Sequence, residues 1–197
     1  MINKVAEALS GFLFSHYPIE DSKRPIYIYG IELFLSTSAA VIFILLLSAI
    51  FGFFPVAMVF LTVFMSLRSF VGGYHAETYG RCFILTTIVY ILVAFFAYVI
   101  SLCKNPVAFV IINSFLSTAS AAVIFVLAPV KNSNHPLSDF RYQNNKRRAR
   151  YLIFLFLTLL AGLICFHAST LYTSIVSVTI TAVAVMMIIP QIKERRT

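Results

Sequence analysis

Charge is what this chain of 197 residues has least of: Asp, Glu, Lys and Arg make up 11% of it, against 60% hydrophobic residues. Few soluble domains tolerate that balance. With a mean hydropathy of +0.93, the natural class is a polytopic membrane protein with almost no domain outside the bilayer. Acidic residues are scarcer than basic ones, 7 against 15, for a net charge of +8. In a soluble protein that excess would suggest nucleic acid; here the retention of basic loops in the cytoplasm explains it, and no nucleic-acid partner is implied. Tryptophan is absent, and 20 Phe and 10 Tyr supply the aromatic mass. The three cysteines, Cys82, Cys103 and Cys165, are too few for a disulfide framework. Cys103 and Cys165 lie in apolar runs near the outer ends of their segments and read as packing residues. No CxxC pair or phosphate-binding Gly-x-x-x-x-Gly-Lys-Ser/Thr loop occurs. Nor is there a cleavable signal peptide, because the apolar residues near the start are spaced rather than continuous.

What is present is six apolar runs, over residues 31–50, 51–67, 83–102, 107–130, 151–166 and 171–189. Each is near the ~20 residues that cross a hydrocarbon core, though the second and fifth are short. Glu32 stands at the polar end of the first, and the second is entered by a tight Phe51-Gly52-Phe53-Phe54-Pro55 connection. Ahead of them Ile2, Val5, Leu9, Phe12 and Leu13 recur at helical spacing. That is an amphipathic helix in the membrane interface, an anchor or else a docking surface for an amphipathic partner. Residues 16–25, with two prolines, read as loop. With the N-terminus inside, every Lys and Arg except Lys104 falls on the cytoplasmic side, a bias that sets the orientation. The expected fold is all-α: one integral membrane domain over 1–197, six transmembrane helices and both termini cytoplasmic. It comprises an interfacial segment 1–30, a cytoplasmic motif 68–82 and a basic cytoplasmic loop 131–150. The cluster Lys146-Arg147-Arg148-Ala149-Arg150 in that loop reads as a translocation stop attracted to anionic lipid, or as a recognition site for an acidic peptide.

The motif 68–82 is a polar island between two apolar runs, and it holds His75 and Cys82. A thiolate attacks acyl carbons well, but a free thiol near pKa 8.5 is mostly protonated at neutral pH and needs a neighbouring base or positive potential. Cys82 is the best nucleophile candidate and His75 the best base. On one unbroken helix, residues seven apart share a face but lie about 10 Å apart along the axis, beyond the roughly 3 Å reach of a nucleophile–base pair. The backbone must therefore bend between them, and Gly80 is the expected place. Cys82 then sits in the first turn of the next helix, where the helix dipole and Arg81 favour thiolate. Gly72 and Gly73 permit a sharp turn or end the second helix. Glu77 reads as an interfacial charge rather than a third catalytic member.

The pattern Arg68-x-x-x-Gly72-Gly73-x-His75-Ala76-x-x-x-x-x-Cys82 is followed by Ala128-Pro129-Val130 and Asn134-x-Pro136-Leu137 before the basic cluster. It resembles the AgrB family, integral-membrane cysteine endopeptidases of Gram-positive quorum sensing, over essentially the whole chain. The resemblance implies an enzyme of the cell membrane that cuts the C-terminal tail from an AgrD-type propeptide on the cytoplasmic face. The peptide is held as an acyl-enzyme, and an internal Cys or Ser then closes a thiolactone or lactone ring. Carried onto this chain, Cys82 is the nucleophile and His75 the general base and acid. Arg68, Gly72, Gly73 and Lys131 position substrate or support the site. The partners are the propeptide and the lipid bilayer; homodimerisation suits so small an enzyme without any sequence feature marking it. No cofactor is required, because transfer from one thioester to another is nearly thermoneutral.

Other classes fit less well. A membrane S-acyltransferase also uses a cytoplasmic Cys and His, but usually with a Cys-rich zinc domain, which is missing here. A small transporter would need ionisable residues or Gly/Pro breaks at the membrane midplane. A metal site from His16, His75, Cys82 and His135 lacks any ligand pair at helical or CxxC spacing, so no metal is expected.

Overall fold

The computed structural model describes residues 8–11, 14, 24–72, 79–130 and 139–194. Six helices make up the bundle: α1 (Arg24–Ile50), α2 (Phe54–Val71), α3 (Tyr79–Ser101), α4 (Pro106–Leu127), α5 (Asp139–Cys165) and α6 (Thr170–Glu194). All six are long and apolar enough to cross a membrane, and no strand occurs among the described residues. The expected all-α architecture is the observed one, and the molecule is a multi-pass membrane protein.

Local chemistry sets the helix ends. Gly52 takes φ +74, which turns the chain so that the Phe53 N–H donates to the Ser48 carbonyl at 2.7 Å and closes α1. Pro55 then sits in the first turn of α2, where a missing N–H costs no helical bond. Asn105 caps α4, its side chain accepting from the N–H groups of Val107 and Ala108 at 3.0 and 3.2 Å. Pro25, expected in a loop, opens α1 by the same allowance as Pro55. Of the N-terminal amphipathic segment, residues 8–11 and 14 are helical. Phe14 meets Tyr27 edge-on, with Arg24 5.2 Å from the Phe14 ring centre. The remainder of that segment lies outside the described residues.

The basic loop is shorter than expected. Helix α5 begins at Asp139 and runs unbroken through Lys146–Arg150 into the apolar span. No Gly or Pro interrupts residues 139–150, and Gln, Lys, Arg and Ala are good helix formers, so charge ended the apolar run without ending the helix.

The hub is α6, which packs against α2, α3, α4 and α5. Thr173 to Ile180 are buried without a break, although four of them are Ser or Thr. Small hydroxyl residues let helix backbones approach closely in lipid, where dispersion and hydrogen bonds drive association. Against α4 the seam is polar: Ser177 donates to the Asn113 carboxamide oxygen, Asn113 to the Phe109 carbonyl at 3.0 Å, and Ser120 to Thr181 at 3.1 Å. Phe115 on α4 and Phe154 on α5 are 71% and 68% exposed. Such apolar exposure would be untenable in water and marks the lipid-facing sides.

Candidate functional site

Helices α2 and α3 run antiparallel, and one contact fixes their register: the rings of Phe60 and Tyr90 stand 5.1 Å apart. Eight residues further on α2 is Arg68, and eight residues back on α3 is Cys82. Both steps run about 12 Å along the axis toward the same end of the bundle. Arg68 and Cys82 therefore share a level, which brings a positive charge to the depth of the thiol.

Cys82 is partly buried in the first turn of α3, as expected, and its carbonyl accepts from Thr86 at 2.9 Å. The expected bend at Gly80 is not found. Helix α3 already begins at Tyr79, so Gly80 is helical and the departure from α2 lies in residues 72–78. His75, Gly73 and Glu77 fall outside the described residues, as do Lys131 and the Arg81 side chain. The polar island is correspondingly narrower than the motif, because Arg68 to Val71 belong to α2.

Arg68 is held from two sides. Its guanidinium carbon lies 5.8 Å from the Phe64 ring centre, one turn earlier on α2, and Nη1 approaches Met186 Sδ of α6 at 3.9 Å. A guanidinium accepts an aromatic face and a polarisable sulfur more readily than an ammonium does, being flat and weakly hydrated. The sequence reading missed both partners; Phe64 was recoverable from its i, i+4 spacing, Met186 was not.

Gly72 ends α2 with φ +72 and ψ −150, a conformation almost confined to glycine. A Cβ there would stand 3.4 Å from the Val130 carbonyl oxygen. Next to it the Val130 N–H donates to the Val71 carbonyl at 3.0 Å, one of the acceptors that a helix C-terminus leaves open. Ala128 and Pro129 are buried. Thus the Ala128-Pro129-Val130 segment leaving α4 latches onto the end of α2 and joins two pieces of the motif that are far apart in sequence. Arg148 of α5 adds a third contact, 5.4 Å from the Phe70 ring centre.

The two other cysteines lie at the opposite end and are free. Cys103 Sγ donates to the Asn105 carbonyl at 3.6 Å, while Cys165 is exposed rather than packed in the core.

Comparison with known proteins identifies the family. The family model for accessory gene regulator B matches residues 6–189. Two proteins named as AgrB-like are similar over most of their length. AgrB-like protein 2 of Clostridium perfringens strain 13 is 23% identical over 172 residues, covering 85% of this chain and 80% of its own. An AgrB-like protein of Clostridium perfringens strain SM101 is 23% identical over 171 residues, with the same coverage. No solved structure matches. From residue 6 to residue 189 the chain follows one family throughout, and it belongs to AgrB, the membrane proteins of accessory gene regulator quorum sensing.

Proposed function

We propose that the protein is a membrane cysteine endopeptidase and peptide cyclase. It cuts the C-terminal tail from an AgrD-type propeptide at the cytoplasmic face and releases the remainder as a thiolactone or lactone. The observation that carries this reading is the level shared by Cys82, in the first turn of α3, and Arg68 on α2, set by the Phe60–Tyr90 contact.

The chemistry runs in two transfers. The Cys82 sulfur attacks the scissile carbonyl carbon, the C–S bond forms, and the C–N bond breaks as His75 protonates the departing amine. The neutral imidazole next takes the proton from a Cys or Ser inside the bound peptide. That atom attacks the thioester carbonyl, closes the ring, and returns the electron pair to Cys82. The first transfer is uphill in bond energy but keeps the acyl group activated, and the second is nearly neutral for a thiol. Arg68 supplies positive charge that favours the thiolate before the first attack and as the sulfur departs in the second. Four residue steps lead from His75 to Tyr79, a tether of up to about 14 Å, long enough for the imidazole to meet the thiol. Gly72 holds the latch to Val130, and Gly73 and Lys131, next to these two in sequence, serve as positioning residues.

Orientation follows from charge: the end that carries Cys82 also carries the basic start of α5, and basic loops stay in the cytoplasm. That compartment is reducing and keeps the thiol free.

The test is co-expression with a tagged candidate propeptide, wild type beside Cys82→Ser and His75→Ala, read by mass spectrometry. Loss of the tail in wild type alone, with an acyl adduct on Cys82, is the expected result. Cleavage that survives Cys82→Ser would overturn the mechanism.

A further inference from the structure

Helices α4 and α5 leave a groove of about 940 Å³ between them. It lies on the flank away from Cys82, since α2 and α6 stand between α3 and the α4–α5 pair. At one end it is lined by Lys146, Arg147 and Arg150; further along, by Ala121, Ala122, Ile153 and Leu157. Gln143, Arg147, Arg150, Phe154 and Leu157 recur at helical spacing, so a charged stripe on α5 continues into an apolar one. The groove is thus built for an amphiphile with an anionic head.

Arg150 gives the head end its specificity. Nη2 donates to the Phe125 carbonyl at 3.5 Å, in the last turn of α4, and the guanidinium carbon sits 4.1 Å from the Phe125 ring centre. Its Nε is buried and has no hydrogen-bond acceptor. A buried, charged N–H without a partner is costly, and a phosphate oxygen is the acceptor that a guanidinium edge fits best. Among the described residues none of Lys146, Arg147 or Arg150 forms an ion pair; the stripe carries three positive charges with no anion of its own.

We propose that this groove binds one anionic phospholipid, its phosphate on Arg150 with Lys146 and Arg147, its acyl chain along the Ala121–Ala122 side of α4. The walls favour a lipid over a peptide. Phe125, Val126, Tyr151 and Phe154 are exposed on the outer surface, so the groove opens sideways into the bilayer. Its walls are two helices whose interior backbone groups pair within each helix, and Arg150 already occupies the Phe125 carbonyl, so an extended peptide entering from the side would bury most of its own backbone without partners. Basic pockets between membrane helices at the bilayer boundary are recognised places for anionic headgroups.

Native mass spectrometry of the full chain, from micelles holding equal phosphatidylglycerol and phosphatidylcholine, tests this directly. The wild type retains one phosphatidylglycerol in preference to phosphatidylcholine. The triple variant Lys146→Gln, Arg147→Gln, Arg150→Gln loses that retention by about tenfold or more. Ala122→Phe, which fills the slot and keeps every charge, loses it as well. Removing three charges elsewhere, by Lys4→Gln, Lys104→Gln and Arg141→Gln, leaves it within about twofold. Thermal unfolding of each variant confirms that it is folded before retention is compared. Equal retention of both lipids, equal loss in the remote-charge variant, or full retention in Ala122→Phe would each overturn the proposal. So would displacement of the lipid by an acidic amphipathic peptide, which would assign the groove to a peptide.

Discussion

Both ends of the bundle carry cysteine and use it differently. At one end, Cys82 shares a level with Arg68, and the ends of α2 and α4 are latched by Gly72 and Val130. At the other, Cys103 and Cys165 stand at helix ends with Lys104 nearby. That end also has an apolar cavity of about 440 Å³ among α1, α2, α3 and α6, whose wall includes the Ser48–Tyr90 hydrogen bond of 2.6 Å. Cysteine alone distinguishes nothing; a thiol becomes a nucleophile through the charge and base around it. Glycine turns occur at both ends, Gly72 at one and Gly52 at the other; among the described residues, only the first end sets a thiol at the level of a cation held by a ring and a sulfur.

The sharpest way to break this contrast is to exchange the thiols. Cys82→Ala lowers propeptide cleavage by roughly three orders of magnitude or more, while Cys103→Ala combined with Cys165→Ala changes it by less than about twofold. An equal loss at both ends, in cleavage measured per milligram of folded protein, would erase the distinction.

The latch is next. Gly72→Ala forces a Cβ into a left-handed conformation against Val130 and costs about 1–3 kcal/mol, read as a lower midpoint in thermal or denaturant unfolding. Gly162→Ala, with nothing within 4 Å of its new Cβ, is neutral or slightly stabilising. If the two variants unfold alike, the latch contributes nothing.

Charge beside the thiol has a smaller effect. Arg68→Gln slows maleimide alkylation of Cys82 by roughly tenfold at neutral pH, Arg68→Lys less so, and alkylation of Cys103 stays unchanged. An unaltered Cys82 rate in Arg68→Gln would remove the cation from the mechanism.

Smallest is the polar seam that supports both ends. Asn113→Leu removes the acceptor of Ser177 and costs about 1 kcal/mol, visible in unfolding but not in the alkylation rate of Cys82.

Much of this was legible beforehand because membrane spans announce themselves by length and hydropathy. All six helices were found, and Cys82 was placed correctly in the first turn of its own. The errors share a cause. Reading polarity as loop put Tyr79, Gly80 and the run 139–150 outside helices, whereas a helix continues past the bilayer as long as its residues permit. Gly80 was chosen for the bend because glycine allows one; the turn that needs glycine is at Gly72, which the sequence had offered as the end of the second helix. Tertiary neighbours were the least legible part. Ala128-Pro129-Val130 stood out as a pattern, yet nothing in it names the Val71 carbonyl as its partner. The role of α6 was recoverable: a span rich in Ser and Thr faces protein, and one rich in Phe faces lipid.

The central position of α6 has a consequence for how the molecule comes into being. It is the last of the six helices to leave the ribosome, yet α2, α3, α4 and α5 all pack on it. Until it arrives, Asn113 and Ser120 of α4 have no α6 partner, and Arg68 lacks the sulfur of Met186. The first five helices hold only their contacts with one another until then. A ribosome that stops before residue 170 leaves a chain whose α2–α4 latch can form but whose Arg68 has no sulfur beside it.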